Sequence, residues 1–285
     1  GDTAARPLEK ARHRPPSSAP RASSNAAQVG LPYRPYWRSP PATYVEAIVI
    51  GWFEPAAMIT FFAIAANLTL YARSLVEGVS FTITPRISAL DGRGAVEDTR
   101  ELPLVSGRVA SLILMPIAAT FLLRGERFIG LWMGAEYATL SSSVLWVLSL
   151  SLWFTAGQEI MTSSMVGLDK HRLLVPVFCV EAALNLMLSI VLVKTMGIVG
   201  VAWGTTLPAI MFSVVVFPFV CRRALGISVN QLWRELWLRP TIAVIPFALA
   251  TYLVEHYTAV DSLALFFLQV LALLPLAFAG AWLLA

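Results

Sequence analysis

The sequence predicts an all-α, polytopic transmembrane helical bundle, with about seven complete spans and an N-terminal partial helix. The 285-residue chain is 57% hydrophobic and only 13% charged, whereas soluble domains carry about 25% charge. Apolar runs long enough to cross a bilayer recur along the chain. These runs are far longer than the strands of a transmembrane barrel, so the backbone groups must be satisfied within helices.

The first 43 residues differ from the rest in composition. They are rich in Pro, Ser, Ala and Arg, and only Asp2 and Glu9 are acidic. Such a composition cannot bury enough apolar surface to fold, so we expect residues 1–43 to be a disordered tail or a non-native leader. Residues 44–285 would then form the bundle. Residues 1–43 carry the basic surplus behind the net charge of +4, and the remainder is near neutral, so we expect no nucleic-acid partner. Because the chain begins with Gly1, we also expect it to be a fragment.

The first complete span is the long apolar stretch from Pro55 to Pro85, which the pattern predicts as one helix. At 1.5 Å per residue it would be about 45 Å long, enough to cross a whole bilayer. A charge at the centre of such a helix costs roughly 2.5–3.5 kcal/mol. A polar stripe nevertheless follows one face at spacing i, i+4, i+8, i+11 and i+15. Its members are Thr69, Arg73, Glu77, Ser80 and Thr84.

Two interpretations of Arg73 and Glu77 remain open. As charges inside the membrane they would line a watery cavity, with Thr69 and Ser80 beside them as further candidates for substrate contact. Alternatively, Arg73 and Glu77 form a structural pair one turn apart. That pair would be the weaker of the two possible orders, because the arginine precedes the glutamate and so opposes the helix dipole.

The remaining elements follow from the apolar runs. A partial helix from Tyr44 to Phe53 precedes the long span, and a charged loop at residues 91–101 follows it. Further spans are expected at about residues 104–123, 140–166, 173–193, 199–220, 241–254 and 263–285. The aromatic residues of the segment at 125–137 are typical of a membrane interface.

Residues 228–239 predict a cytoplasmic interfacial helix. Ser228 and Gln231 form a capping-box pattern, and apolar residues then recur on one side of the helix. The alternative is an early start of the next span. The cytoplasmic side is assigned from the loops, because most Lys and Arg residues fall on the side of residues 86–108, 170–172 and 222–239.

Other polar residues also lie inside predicted spans. They are Asn67, Gln158, Glu159, Glu181 and Asn185. Glu181 and Asn185 are one turn apart on one face, and they predict either an interhelical hydrogen bond or a contact with substrate or ion. Such hydrogen bonds contribute about 0.6 kcal/mol on average.

The remaining motifs indicate packing rather than chemistry. Gly200 and Gly204 form a G-x-x-x-G pattern, which is typical of close helix contact. Cys179 and Cys221 are interpreted as buried apolar residues. The sequence contains no motif for catalysis, nucleotide binding or metal ligation. We therefore expect a protein that is not an enzyme, with no catalytic residues, no cofactor and no metal.

Six short blocks of sequence follow one another between about Ala47 and Leu238. They are IVIGWFEPAAMITFFAIAANL, LVEGVSFTITPRISAL, GERFIGLWMGAEY, VGLDKH, VEAALNLMLSIVLV and GIVGVAWGTTLP. Their order and spacing resemble the C-terminal half of bacterial polysaccharide flippases, which are oligosaccharide-lipid transporters of the multidrug/oligosaccharidyl-lipid/polysaccharide exporter superfamily. The resemblance implies two helical lobes around a cavity that opens alternately to either side of the membrane. It also implies that Arg73 meets a diphosphate-linked sugar carrier. Where the family often has an aspartate before the IVIG block, this chain has Glu46.

The function implied by the resemblance is to flip undecaprenyl-diphosphate-linked oligosaccharide across the bacterial inner membrane, for surface polysaccharide or lipopolysaccharide biosynthesis. The implied partners are the lipid-linked oligosaccharide, membrane lipids, and a missing N-terminal lobe or a second copy of the chain. One alternative is a drug/cation antiporter of the same superfamily, which would favour an acidic cavity. A membrane glycosyltransferase or polymerase would need acidic metal-binding pairs or a long outer loop. A non-transporting fragment is the last alternative.

Overall fold

In a computed structural model, residues 43–258 and 260–283 of the chain are described. The helices are α1 (Thr43–Phe53), α2 (Ala57–Gly92), α3 (Val96–Met133), α4 (Ala135–Gly167), α5 (Val175–Met211), α6 (Phe217–Leu225), α7 (Val229–Trp233), α8 (Arg239–Tyr257) and α9 (Leu263–Leu283). Short 3₁₀ and π-helical turns join some of them, and no strand occurs within this part of the chain. The predicted all-α bundle is therefore confirmed. The predicted tail at residues 1–43 lies, apart from its last residue, outside the described residues.

Among the residues described, six helices are long and apolar enough to cross a membrane. One of them, the stretch from His171 to Leu225, contains two arms because its backbone reverses at Gly197 (φ 59°, ψ −140°). A methyl group added at Gly204 would lie 2.6 Å from the Cα atom of Ser189, and one at Gly200 would overlap the carbonyl group of Leu192. The two arms are thus antiparallel and in direct backbone contact. This reversal reconciles six membrane-length helices with the prediction of about seven spans.

The close contact between the arms confirms the packing role predicted for Gly200 and Gly204. The reversal itself depends on Gly197, whose positive φ is in a region that side chains with a Cβ rarely adopt. The second arm also holds the partial helix α1, because Val49 and Ile50 are buried against Val201 and Ala202. These contacts bring α1 and both arms of α5 to one side of the bundle.

Helices α2 and α3 are longer than predicted. α2 continues past Pro85 to Gly92, and α3 fills residues 96–133 rather than 104–123. The charged stretch at 91–101 is therefore mostly helical, and the aromatic segment at 125–137 is helical except at the turn around Gly134. Proline is tolerated inside membrane helices where neighbouring helices stabilise the local backbone. Here Ser88, just after Pro85, donates a hydrogen bond to the carbonyl oxygen of Gly167 on α4 at 2.6 Å.

The predicted helix at residues 228–239 begins at Ser228, whose hydroxyl accepts a hydrogen bond from the backbone N–H of Gln231 at 3.2 Å. It then continues through a π-helical turn (Arg234–Leu238) directly into α8. Leu236 is fully buried and fills the space left by Gly157 on α4, where an added methyl group would overlap it. The continuity with α8 favours the early start of a span, and the cytoplasmic placement stays a prediction.

The prediction for the two cysteines is half right. Cys221 is fully buried in the core, but Cys179 is exposed. Cys179 lies on the first arm of α5, where neighbouring apolar residues such as Val180 and Met187 are also more than half exposed. Lipid-facing and core-facing positions are equally apolar in a membrane protein, so residue type does not distinguish them.

At one end of the bundle, two basic side chains bind backbone carbonyl oxygens at the end of α6. Lys170 Nζ donates to the carbonyl oxygen of Ala224 at 2.6 Å, and Arg100 Nε donates to that of Leu225 at 3.1 Å. These two cations therefore cap the C-terminus of α6, where the helix dipole favours positive charge. Both belong to the side predicted to be cytoplasmic, and that orientation stays a prediction.

The hairpin within α5 leads to a stability prediction. Gly204→Ala should lower the stability of the protein by about 1–3 kcal/mol, because the added methyl group has no space beside the backbone of Ser189. Gly78→Ala is the matched control, since nothing lies within 4 Å of an added methyl group there and alanine favours a helix. Thermal unfolding of both purified variants in detergent measures the difference. Equal melting temperatures would contradict the backbone contact.

Candidate functional site

Arg73 lies in the middle of α2 and is half-buried. Its Nη2 atom donates a hydrogen bond to Ser151 Oγ on α4 at 3.2 Å. Ser151 is buried and in turn donates its own proton to the carbonyl oxygen of Leu148 at 2.7 Å. Its remaining lone pairs are therefore the acceptors that face the guanidinium. This contact fixes part of Arg73 against α4 and leaves the rest of the side chain partly accessible.

Acidic side chains from three helices lie within electrostatic reach of Arg73. Its charge acts electrostatically on Glu46 of α1 and on Glu181 of α5, and Glu77 lies one turn further along α2. Glu46 is 4% exposed and accepts a hydrogen bond from the hydroxyl of Thr205 on the second arm of α5. A charge within a membrane helix needs such partners or a watery cavity. The cluster can bind an anion at Arg73 if carboxylates withdraw, or a cation between the carboxylates.

The other candidates on α2 are distributed over two sides of the helix. Thr69 and Ser80 are both 8% exposed, and their hydroxyls donate to carbonyl oxygens of the preceding turn at 2.8 and 3.3 Å. They lie on the packed side of α2, whereas Asn67 is exposed and Glu77 is half-buried. The structure therefore brings Glu77 near Arg73 and directs Asn67 elsewhere. Substrate contact by any of these residues stays a prediction.

The polar candidates on α4 and α5 have different environments. Gln158 has a buried Oε1 atom with no hydrogen-bond partner in the described part of the chain, and Glu159 beside it is half-buried. Asn185 accepts a hydrogen bond from Ser189 on its own helix at 3.2 Å. Glu181 faces the charge of Arg73. Glu181 is the member of this group with an electrostatic interaction with Arg73.

Sequence reasoning missed the pairing of Arg73 with Glu46 and Glu181. Glu46 was noted only as a departure from the aspartate that is frequent in the flippases. The available signal was an acidic residue in an apolar segment, since such a residue in a membrane usually faces a partner. Nothing in the sequence, however, indicates that Glu46 of α1 and Glu181 of α5 lie within electrostatic reach of Arg73 on α2.

A second charged network, also missed, joins α3 to α8 and α9. Arg124 is fully buried, with Nε 2.7 Å from Glu255 Oε2 and Nη2 2.8 Å from Gln269 Oε1. Arg127 Nε lies 2.6 Å from the other oxygen of Glu255. Both arginines follow the span predicted at residues 104–123, but both are on α3. A buried ion pair with these hydrogen bonds holds helices together, and removing one partner would leave a buried charge.

A third charged network surrounds Glu235, in the π-helical turn before α8. Glu235 is 5% exposed. Its carboxylate lies 3.2 Å from Arg108 Nε, 3.0 Å from Arg239 Nη1 and 3.4 Å from Arg234 Nε. The three arginines connect α3 to the start of α8. The network explains how this charged segment packs within the bundle.

Comparison with known proteins gives two relatives. Over 165 residues, 58% of this chain, the sequence is 23% identical to a probable low-salt glycan biosynthesis flippase of Haloferax volcanii and covers 35% of that protein. Over 176 residues, 61% of this chain, it is 22% identical to a putative O-antigen transporter of Shigella flexneri and covers 41% of that protein. No protein-family model matches the chain.

The fold and the site define a multi-pass membrane protein with a charged cluster inside its helical bundle. The two relatives support a polysaccharide flippase-type family, in agreement with the resemblance found in the sequence. Both relatives are named as a flippase or a transporter, which fits a protein that is not an enzyme. The chain spans well under half the length of either relative.

The contact between Arg73 and Ser151 leads to a second prediction. Ser151→Ala should lower stability by about 1.5–3 kcal/mol, because it removes a partly buried hydrogen bond to a charged group. Ser141→Ala is the matched control on the same helix, since the buried hydroxyl of Ser141 has no hydrogen-bond partner among the described residues. Thermal unfolding in detergent should show a drop for the first variant and no drop for the second. Equal changes in melting temperature for the two variants would mean that the hydrogen bond between Arg73 and Ser151 does not stabilise the site.

Proposed function

We propose that the chain is part of a transporter that moves undecaprenyl-diphosphate-linked oligosaccharide from the cytoplasm across the inner membrane by alternating access. The product would serve the biosynthesis of surface polysaccharide. The observation that carries the proposal is Arg73, an arginine inside the bundle that interacts with groups from three other helices. The names of the two relatives support the coarser part of the proposal, a transporter in polysaccharide biosynthesis.

The chemistry of the carrier matches the chemistry of Arg73. A diphosphate must lose water to enter a membrane protein, and it therefore needs a partner that replaces those hydrogen bonds. A guanidinium donates two parallel hydrogen bonds to phosphate oxygens and keeps its charge at physiological pH. Arg73 donates a hydrogen bond to Ser151. The side chain of Arg73 is half-buried, so part of it is accessible.

The carboxyl groups supply the change of state that transport requires. Glu46 and Glu181 act on the same guanidinium as the proposed diphosphate, so the two kinds of anion compete for Arg73. Binding of the carrier therefore requires the carboxylates to withdraw. Because Glu46 lies on α1 and Glu181 on α5, withdrawal couples binding to a shift of these helices relative to α2. A ligand that favours one of two arrangements in this way shifts the population between them.

The open side of α2 is the place where a second half of the transporter would pack. Leu70, Tyr71 and Leu75 are 40%, 61% and 56% exposed near the middle of the span, close to the polar Asn67 and Ser74. A purely lipid-facing surface would carry no such polar residues at this depth. A partner lobe or a second copy of the chain would enclose the cavity between this surface and its own.

One observation favours a second function, a drug/cation antiporter. Three glutamates gather around a single arginine, and this excess of acidic groups suits a cationic substrate. In that case Arg73 would be a structural partner of the carboxylates. Export of glycan would then not depend on it, and this distinguishes the two functions.

The substrate role of Arg73 predicts a graded loss of export. Arg73→Ala should weaken carrier binding roughly 10- to 100-fold, because hydrogen bonds to a charged group worth about 1.5–3 kcal/mol are lost. Arg73→Lys keeps the charge without the planar fork and should retain part of the export. The natural gene is edited in the source cells, and surface glycan and the amount of protein in the membrane are measured together.

The structural alternative gives a different result in the same cells. If Arg73 only neutralises carboxylates, Arg73→Ala should lower the amount of protein, and adding Glu77→Ala should restore both protein and export. The substrate role predicts a loss of export that exceeds any loss of protein in Arg73→Ala, and no rescue by the second change. Rescue of export by Arg73→Ala/Glu77→Ala would therefore overturn the substrate role of Arg73.

A further inference from the structure

A groove opens at the end of the bundle where α3 turns into α4 and where α5 reverses. Its volume is about 400 Å³, within the roughly 300–1,000 Å³ typical of ligand sites. It lies between the last third of α3, the first third of α4 and the start of the second arm of α5. Its lining includes Glu126, Ser142, Ser143, Trp146, Val147 and Trp203. This is the end opposite to the one where Lys170 and Arg100 cap α6.

Two tryptophans form the aromatic wall of the groove. The rings of Trp146 and Trp203 are 6.4 Å apart between centroids and inclined at 63°. Trp146 is 44% exposed, so a large part of its ring is open to a ligand. Two aromatic faces at a steep angle provide a surface for stacking and a side wall.

The polar lining of the groove presents hydrogen-bond acceptors. Ser142 and Ser143 both donate their hydroxyl protons to the carbonyl oxygen of Thr139, at 3.0 and 2.9 Å, so their lone pairs remain to accept. Glu126 is an exposed carboxylate that accepts a hydrogen bond from the Thr139 hydroxyl at 3.3 Å. A lining of acceptors with one negative charge repels phosphate and favours a ligand with many hydroxyl donors.

A sugar ring has these complementary properties, because it combines an apolar C–H face with a rim of hydroxyl groups. The groove also adjoins the charged cluster. Ser143, Val147 and Ser151 lie on one stripe of α4 at spacing i, i+4 and i+8, and Ser151 accepts the hydrogen bond from Arg73. One turn, about 5–6 Å, separates the floor of the groove at Val147 from Ser151. A sugar in the groove would therefore lie close to a diphosphate at Arg73.

We propose that this groove is a binding subsite for neutral sugar residues of the transported glycan, with Trp146 and Trp203 stacking on the sugar and Glu126, Ser142 and Ser143 accepting from its hydroxyls. The subsite rests on the proposed function for its biological role, but its chemistry is independent of Arg73. The groove selects sugars by shape and hydroxyl pattern, whereas the charged cluster binds the diphosphate common to all carriers. Glycan specificity is thus separated from carrier recognition.

The test measures saturation-transfer NMR signals from the purified full chain in detergent to a panel of neutral, lipid-free di- and trisaccharides. Transfer should occur with the unsubstituted protein and weaken roughly tenfold in Trp146→Leu, since a stacking interaction of this kind corresponds to about that factor. Trp132→Leu is the matched control, because Trp132 is 43% exposed on α3 but does not line the groove. It should leave the signal unchanged.

Two further measurements test whether the groove binds organic cations and whether saccharide binding depends on Arg73. If the groove binds organic cations, saturation transfer would be seen to tetraethylammonium and not to sugars, and Glu126→Gln would abolish that transfer. This result would overturn the proposal. Absence of transfer to every saccharide, or equal transfer in Trp146→Leu, also overturns it. Arg73→Ala should leave saccharide transfer intact. A protein that binds saccharides in the groove but exports glycan without Arg73 would refute the carrier-binding role of Arg73 alone.

Discussion

The structure depends on one constraint, the charge of Arg73 inside a helix that spans the membrane. An isolated charge at that depth is costly, by roughly 2.5–3.5 kcal/mol on insertion scales, and the neighbouring helices are arranged around it. Ser151 supplies a hydrogen bond from α4, and the acidic side chains of Glu46 on α1 and Glu181 on α5 lie within electrostatic reach of this arginine. Under the proposed mechanism, the same contacts determine which helices would shift when a competing anion binds.

Much of the fold could be predicted from composition and apolar length alone, because backbone groups in a membrane permit only helices here. The reversal between the two arms of α5 was also predictable, since a short gap separates two apolar runs and the G-x-x-x-G pattern at Gly200 follows it. The ends of α2 and α3 could not be predicted in this way. In a soluble protein, a proline such as Pro85 or a charged stretch such as residues 91–101 usually ends a helix. In the bundle, contacts such as Ser88 to Gly167 stabilise the continued helix.

The candidate site was only partly predictable. The sequence identified Arg73 and its helical stripe, because charge within an apolar run is unusual. It did not show that Glu46 and Glu181, far apart along the chain, meet this arginine, since neither lies at a helical spacing from it. The ion pair between Arg124 and Glu255 could not be predicted for the same reason, because the two residues are far apart along the chain. Spacing along one helix is readable in a sequence, whereas contact between helices requires the packing of the whole bundle.

The central claim is that Arg73 exchanges its carboxylate partners for the diphosphate of the carrier. Solid-state NMR with ¹³C-labelled arginine in lipid bilayers measures this directly, through the dipolar coupling between the guanidinium carbon and the phosphorus atoms of an added polyprenyl diphosphate-linked sugar. The account predicts a carbon–phosphorus coupling at hydrogen-bonding distance that disappears in Arg73→Lys, while the other arginines of the protein give the same spectrum. A coupling that persists in Arg73→Lys, or a carrier that binds with no coupling at all, would contradict it.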